Sequence, residues 1–402
     1  MSAHPLAVRS PRIVFIDVLR AYAILMMLQG HFVDTLLAPE YRDNSNSIYS
    51  LWFFMRGMTA PIFFFSTGLV FVYLLLKDGR PLAENVRVKK GLRRGFFLIA
   101  LGYLLKLNFP SLFILRIYPS FYVVDVLHCI GLALLALIGA YAIQATTRFP
   151  LRIMLLIAGV TVFFLNPSFE KGDWSFLPDF FANYFTLKNG SVFTPVPWIG
   201  YTFFGGILGA TVHYRPKWAF SWWFPSIIAA LGFCFSTWSY QAMQQLAIIT
   251  QAKSIEAMVA YHHLFWRLGH VLIVVSMFMG FIPLFKHIPK LITQIGSETL
   301  TIYSVHYVIL YGTWFGIGLS PFLYRSLGPW AAGIGAILFI AFFVVLIWKI
   351  EEIRNWLYKD VAGKLKYFWR VVKVMLQRRL LRFAPVLATL PRRSFSFIKS
   401  FM

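Results

Sequence analysis

Ten apolar runs divide this chain, at about 13–37, 51–76, 94–109, 120–143, 151–166, 197–213, 222–246, 261–285, 296–316 and 328–350. Each reaches or approaches the roughly 20 residues a helix needs to cross a bilayer. With 59% hydrophobic residues and a mean hydropathy of +0.68, the composition lies outside that of an ordinary soluble domain. The expected fold class is an all-α polytopic membrane protein with about ten transmembrane helices, the transmembrane domain taking residues 1–350.

The formal net charge of +23 does not point to nucleic acid, because the basic residues sit at the ends of apolar runs. Cytoplasmic loops and anionic lipid account for that placement. The connection from Lys77 to Arg94 holds seven basic residues against two acidic ones. Arg148, Arg152, Arg215, Lys217, Lys286 and Lys290 mark alternate loops, so both termini are expected in the cytoplasm. The opening MSAHPLAVRSPR leads into its apolar run without a small-residue cleavage site, which reads as a retained anchor. From Lys349 to Met402 there are thirteen Lys/Arg against three Asp/Glu, and Leu357, Val361, Leu365, Phe368, Val372 and Met375 recur at helical spacing. Residues 351–402 therefore read as a basic amphipathic cytoplasmic tail lying on anionic lipid.

Cys129 and Cys234 lie in apolar runs without CxxC or zinc-ligand spacing, so both are expected reduced and buried, and no metal is implied. The long connection at about 166–196, rich in aromatic residues, Pro, Asn and Gly, is either a binding lid or a spacer.

Chemistry enters with Arg20 and His31, separated by ten residues in the first run. On a helix that spacing puts them on one face, roughly 16 Å apart. Ionisable groups inside membrane helices are costly and mark functional sites. Carboxylates stand three residues away from each: Asp17 before Arg20, and Asp34 after His31. A neutral imidazole can accept the proton an acceptor loses as it attacks a thioester, which makes His31 the expected base. Asp34 either holds its Nδ1–H or faces solvent at the helix end. Arg20 either meets the phosphates or carbonyl of a donor or pairs with Asp17. Arg56, Asp125, His128, His262, His263, Arg267, His270 and His306 add further ionisable groups in other runs, which suggests a polar chamber in the bundle. Asp125 with His128, Trp266 with Arg267 and His270, and His306 are candidate contacts to the acceptor, the alternatives being glue between helices and interfacial anchoring.

The segment IVFIDVLRAYAILMMLQGH, with Arg-x10-His, resembles the opening helix of the acyltransferase-3 superfamily of integral membrane acyltransferases. TAPIFFFSTGLVFVYLLL, KKGLRRGFFLIALGYLL, DVLHCIGLALLAL and GSETLTIYSVHYVIL continue the likeness. Within the superfamily these segments resemble the bacterial relatives of heparan-α-glucosaminide N-acetyltransferase, over most of residues 12–310. The resemblance implies a ten-helix enzyme of the bacterial cytoplasmic membrane. Such an enzyme moves an acetyl or short acyl group from cytoplasmic acetyl-CoA, or another acyl-CoA, to a sugar or glycoconjugate of the envelope. It maps the family's Arg-x10-His onto Arg20 and His31. The family's second motif, Arg-x-x-Arg, stands here as Lys90-x-x-Arg93, followed by Arg94, which keeps charge but not a bidentate first position. Lys90, Arg93 and Arg94 are thus expected at the donor. A transporter or flippase using the same groups as a relay is the competing reading, and the absence of a detectable repeat or of matched broken helices counts against it.

Overall fold

The computed structural model describes residues 14–358 apart from Lys286, together with Gly363. Its principal helices are α1 (Val14–Leu36), α2 (Ser47–Gly57), α3 (Thr59–Lys77), α4 (Val86–Lys106), α5 (Val126–Thr147) and α6 (Leu151–Lys171). They continue with α7 (Pro195–Tyr214), α8 (Trp223–Thr250), α9 (His263–Phe281), α10 (Lys290–Ser297), α11 (Thr299–Tyr311) and α12 (Pro329–Trp348). No strand occurs among the described residues, where two isolated bridges, Leu37 with Leu327 and Asn108 with Trp314, tie loops together. The protein is all-α and integral to a membrane. Trp330, Ile337 and Leu338 on α12 are 84%, 68% and 64% exposed, which suits lipid and not water.

The expectation of ten spanning helices is not met. Among the described residues six stretches are long and apolar enough to cross: Val14–Leu36, Ser47–Lys77, Pro119–Thr147, Leu151–Lys171, His263–Leu284 and Pro329–Trp348. Each of the other four runs does form a helix, but composition or length takes it out of that class. In α4 the first half carries Arg87, Lys89, Lys90, Arg93 and Arg94. Glycine and proline dilute α7, and Gln, Ser and Thr dilute α8. The 296–316 run breaks at Glu298 and stops at Gly312, whose φ of 72° ends α11 after 13 residues.

Local chemistry sets the other boundaries. Asn46 caps α2 by accepting the N–H groups of Ile48 and Tyr49 at 3.0 and 3.2 Å, and the apolar run 51–76 then breaks between α2 and α3 at Met58. Buried Asn85 caps α4 through the N–H of Arg87 at 2.8 Å, while its amide donates to the Leu75 carbonyl at 3.1 Å. One side chain therefore starts α4 and fastens it to the end of α3.

Close helix pairs depend on missing side chains. A Cβ at Gly68 of α3 would stand 1.9 Å from the Thr202 carbonyl oxygen of α7, and one at Gly205 would meet that of Phe65 at the same distance. Gly95 and Gly131 face each other's carbonyls across α4 and α5. Such contacts replace the hydrophobic drive that lipid does not supply between helices.

The chain divides into two compact units, 1–343 and 344–402. The second holds the end of α12 and the short helix Ile350–Trp356, where Lys349 Nζ lies 2.8 Å from Glu352 Oε1. Beyond it the expected basic tail lies outside the described residues. Cys129 is buried and free as expected; Cys234 is free but exposed, because its face of α8 points away from the bundle.

Candidate active site

α1 divides its surface between packing and function. Leu19, Ala23 and Leu28 are fully buried, while Arg20, Ile24, Met27, His31 and Asp34 line a cavity of about 770 Å³. The intervals of three and four residues between these five keep them on one face. The cavity wall continues with Arg56 and Gly57 at the α2–α3 break, Arg87, Lys90 and Arg94 on one face of α4, and Lys106 and Asp125 where α4 ends and α5 begins. Arg267 of α9 and Thr299, Tyr303, Tyr307 and Tyr311 of α11 close it. Phe193 and Trp198 bring in the end of the 166–196 connection. Seven Lys/Arg against two Asp give the chamber a surplus of positive charge suited to an anionic ligand.

Two hydrogen bonds lay α11 alongside α1 in the same direction. Arg20 Nη2 donates to Thr299 Oγ1 at 2.7 Å, and eleven residues on, His31 Nδ1 lies 3.1 Å from Tyr311 Oη. The Thr35 hydroxyl donates to the same Tyr311 oxygen at 3.5 Å. His306 sits behind His31, ring edge to ring face at 5.2 Å and 81°. It is fully buried, and neither ring nitrogen has a hydrogen-bond partner among the described residues.

Asp34 does not orient His31. Its carboxylate takes Arg56 Nη2 at 2.6 Å and Arg42 Nη1 at 3.5 Å, so the expected Asp34–Nδ1 contact is replaced by Tyr311. The reason is local. α2 lays the Arg56 stem over Gly30, where a Cβ would meet Arg56 Cγ at 3.1 Å, and the guanidinium then reaches the nearest carboxylate. Arg42, just past the end of α1, also donates to the carbonyls of Asp34 and Leu37 at 2.5 and 2.9 Å, satisfying groups that a helix end leaves open.

The other expected residues separate into two sets. Lys90 and Arg94 line the cavity with Arg87, whereas exposed Arg93 lies off that face and outside the lining. Farther up the same connection Arg80 is paired with Asp78 at 2.6 Å, and its guanidinium holds the Asp78 carboxyl below the usual carboxylate range. Asp125 caps α5 by accepting the N–H of Leu127 at 3.1 Å, with His128 Nδ1 at 2.9 Å and Lys106 Nζ at 3.4 Å. His128 is buried behind it against the Tyr103 ring at 4.3 Å and does not reach the chamber. Arg267 does reach it, and its Nη1 donates at 2.8 Å to the Gly57 carbonyl freed by the α2–α3 break. Trp266 and His270 lie outside the lining, packed on each other at 4.3 Å and on Phe54. His306 is outside the lining too.

Arg87, Lys106, Thr299, Tyr307 and Tyr311 enter the lining without having been singled out by the sequence. The tyrosines carried a readable signal: Tyr303, Tyr307 and Tyr311 recur every fourth residue, which is one face of a helix. Among the described residues no three His, Cys, Asp or Glu are grouped to hold a metal ion.

A membrane-embedded bundle whose charged chamber joins a histidine to a bank of cations has the design of a membrane transferase for an anionic donor. The family described as heparan-alpha-glucosaminide N-acetyltransferase, catalytic, matches residues 12–239, and the chain belongs to it. It therefore carries an acetyltransferase catalytic domain, with acyl-CoA as donor and a carbohydrate or glycoconjugate as acceptor. No curated protein and no solved structure matches the chain.

Proposed function

We propose that His31 is the general base of an acetyl transfer carried out inside the chamber, with the donor held by the cations of α1 and α4. With Nδ1 engaged by Tyr311, Nε2 is the nitrogen that takes the proton. It removes that proton from the acceptor's O–H or N–H as the oxygen or nitrogen attacks the thioester carbonyl carbon. The C–S bond breaks, the acetyl group passes to the sugar, and the coenzyme A thiolate leaves and recovers the proton from His31. Arg20, Arg87, Lys90 and Arg94 hold the phosphates of the coenzyme A arm, and Arg56, fixed by Asp34, adds positive charge beside the base. The donor enters from the cytoplasm of a bacterial cell, at the end where the basic α4 begins, and the acceptor comes from the opposite side.

The observation that carries this reading is that one 770 Å³ cavity contains both His31 and the Arg87, Lys90 and Arg94 face of α4. The test is transfer from radiolabelled acetyl-CoA to saccharide acceptors by the purified protein. His31→Ala should retain its elution profile and lose on the order of a hundredfold or more in turnover. Wild-type turnover by this variant at matched expression would remove His31 from the chemistry.

A further inference from the structure

A second cavity of about 230 Å³ adjoins the chamber and shares Tyr307, Tyr311, Lys106 and Ser120 with it. It lies where the segment after α4 meets the loop after α11. The backbone joins those two segments: Phe109 N–H donates to the Trp314 carbonyl at 2.8 Å, and Trp314 N–H to that of Leu107 at 3.2 Å. Trp314 itself holds φ at 73°, a conformation that bulky residues rarely adopt. Its indole is fixed by donation to the Leu104 carbonyl at 2.9 Å.

The wall is rich in groups able to exchange hydrogen bonds. Asn108 Oδ1 accepts from the Ser111 amide and hydroxyl at 3.0 and 2.8 Å, so its amide nitrogen remains as donor. Arg116 is exposed along the wall. Thr313 is only 9% exposed, and its hydroxyl has no hydrogen-bond partner among the described residues. A buried hydroxyl without a partner is costly, and a χ1 rotation that turns it to a polar ligand in the cavity relieves that cost. The volume falls below the roughly 300–1,000 Å³ of sites for drug-sized ligands, too little for a coenzyme A arm.

Resting on the acetyl-transfer reading, we infer that this cavity is the acceptor subsite, which seats one sugar ring against Asn108, Thr313 and Trp314 and delivers its reacting group past Tyr311 to His31. Hydroxyl-bearing rings need donors and acceptors around their rim and an apolar face beneath. Tyr311 belongs to both cavities, so its hydroxyl stands at the junction where acceptor and base meet.

The probe is the methyl glycoside of glucosamine, used with the full chain in lipid nanodiscs. Arg116→Cys in a Cys234→Ser background places one accessible thiol on the wall, since Cys129 is buried. Modification by a negatively charged methanethiosulfonate should be slowed about fivefold or more by the glycoside and left unchanged by acetyl-CoA. Once modified, the protein should show a KM for the glycoside raised by about tenfold with the KM for acetyl-CoA unmoved. Thr313→Val, which keeps shape and removes the hydroxyl, should raise the glycoside KM by about fivefold with the donor KM unchanged. Absence of protection, or an equal loss toward donor and glycoside, overturns the subsite. If the wild-type protein acetylates no saccharide, the transfer reading fails by itself, and the protection measurement still decides the subsite because it requires no turnover.

Discussion

His31 and Tyr311 form the central pair of the chamber, and their contact separates base chemistry from ring orientation. Tyr311→Phe keeps the ring's volume but removes the oxygen 3.1 Å from Nδ1. Turnover should fall by about tenfold with little change in either KM, because the imidazole loses the partner that fixes its orientation. Steady-state kinetics against both substrates will show this, and a KM effect alone would assign Tyr311 to binding. The same pair governs pH. A protonated imidazole cannot accept a proton, so wild-type turnover should fall toward acid pH, while the residual rate of His31→Gln should lack that limb. A pH profile of the glutamine variant that still shows the acid limb would place the titrating group elsewhere. Arg20 and His31 were readable from their common face and ten-residue separation. The pairing of Tyr311 with His31 was not: the four-residue recurrence of the tyrosines marks a helix face, but nothing along α1 says which residue 280 positions away meets it. For Asp34 the sequence left two roles open, and neither includes its observed partner Arg56, which reaches it from α2.

At the scale of elements, α4 serves two purposes with two faces. Arg87, Lys90 and Arg94, at intervals of three and four, look into the chamber, while Gly95, Gly102 and Gly91 lie against Gly131, His128 and Ile138 of α5. Arg93 is outside the lining although it completes the Lys90-x-x-Arg93 pattern. The double variant Lys90→Gln with Arg94→Gln should therefore raise the KM for acetyl-CoA by about tenfold or more and weaken its salt dependence. Arg93→Gln should change it by less than about twofold, as a solvated charge outside the contact does. Equal losses from Arg93→Gln would mean that general attraction to the basic face, and not placement on the helix, binds the donor. Hydropathy located every long helix of the bundle because burial or lipid contact demands apolar residues there. It misjudged continuity at Met58 and Glu298, where one apolar run holds two helices and the few polar residues at the junction do not lower the average over a spanning window, and it overlooked the basic first half of α4. The glycine contacts between helices depend on which faces meet, and that information lies in pairs of segments distant in the chain.

For the whole molecule, the sidedness of the connections depends on whether α4 crosses the membrane with its six cations. If only the six long apolar stretches cross, the connections around residues 80 and 176 fall on the same side, since just two crossings, Pro119–Thr147 and Leu151–Lys171, lie between them. A crossing by α4 adds a third and places them on opposite sides. We propose the third crossing, on the packing of α4. Gly91, Gly95 and Gly102 meet α5 at Ile138, Gly131 and His128 in antiparallel order, so α4 traverses about 16 Å alongside α5 at 1.5 Å per residue. Phe96 and Phe97 are exposed on its outer face at 62% and 53%, where lipid would cover them; Arg87, Lys90, Arg94 and Lys106 turn into the chamber, while exposed Lys89 and Arg93 lie outside its lining in the first two turns, within reach of the headgroups. In intact cells with a Cys234→Ser background, Arg80→Cys should react with a membrane-impermeant maleimide only after the membrane is opened, and Phe176→Cys should react at once. Both positions lie in connections, outside the cavity lining, so neither substitution disturbs the site. Labelling of the two from one side would mean that α4 lies within one leaflet, and the donor and acceptor would then have to approach His31 from the same face of the membrane.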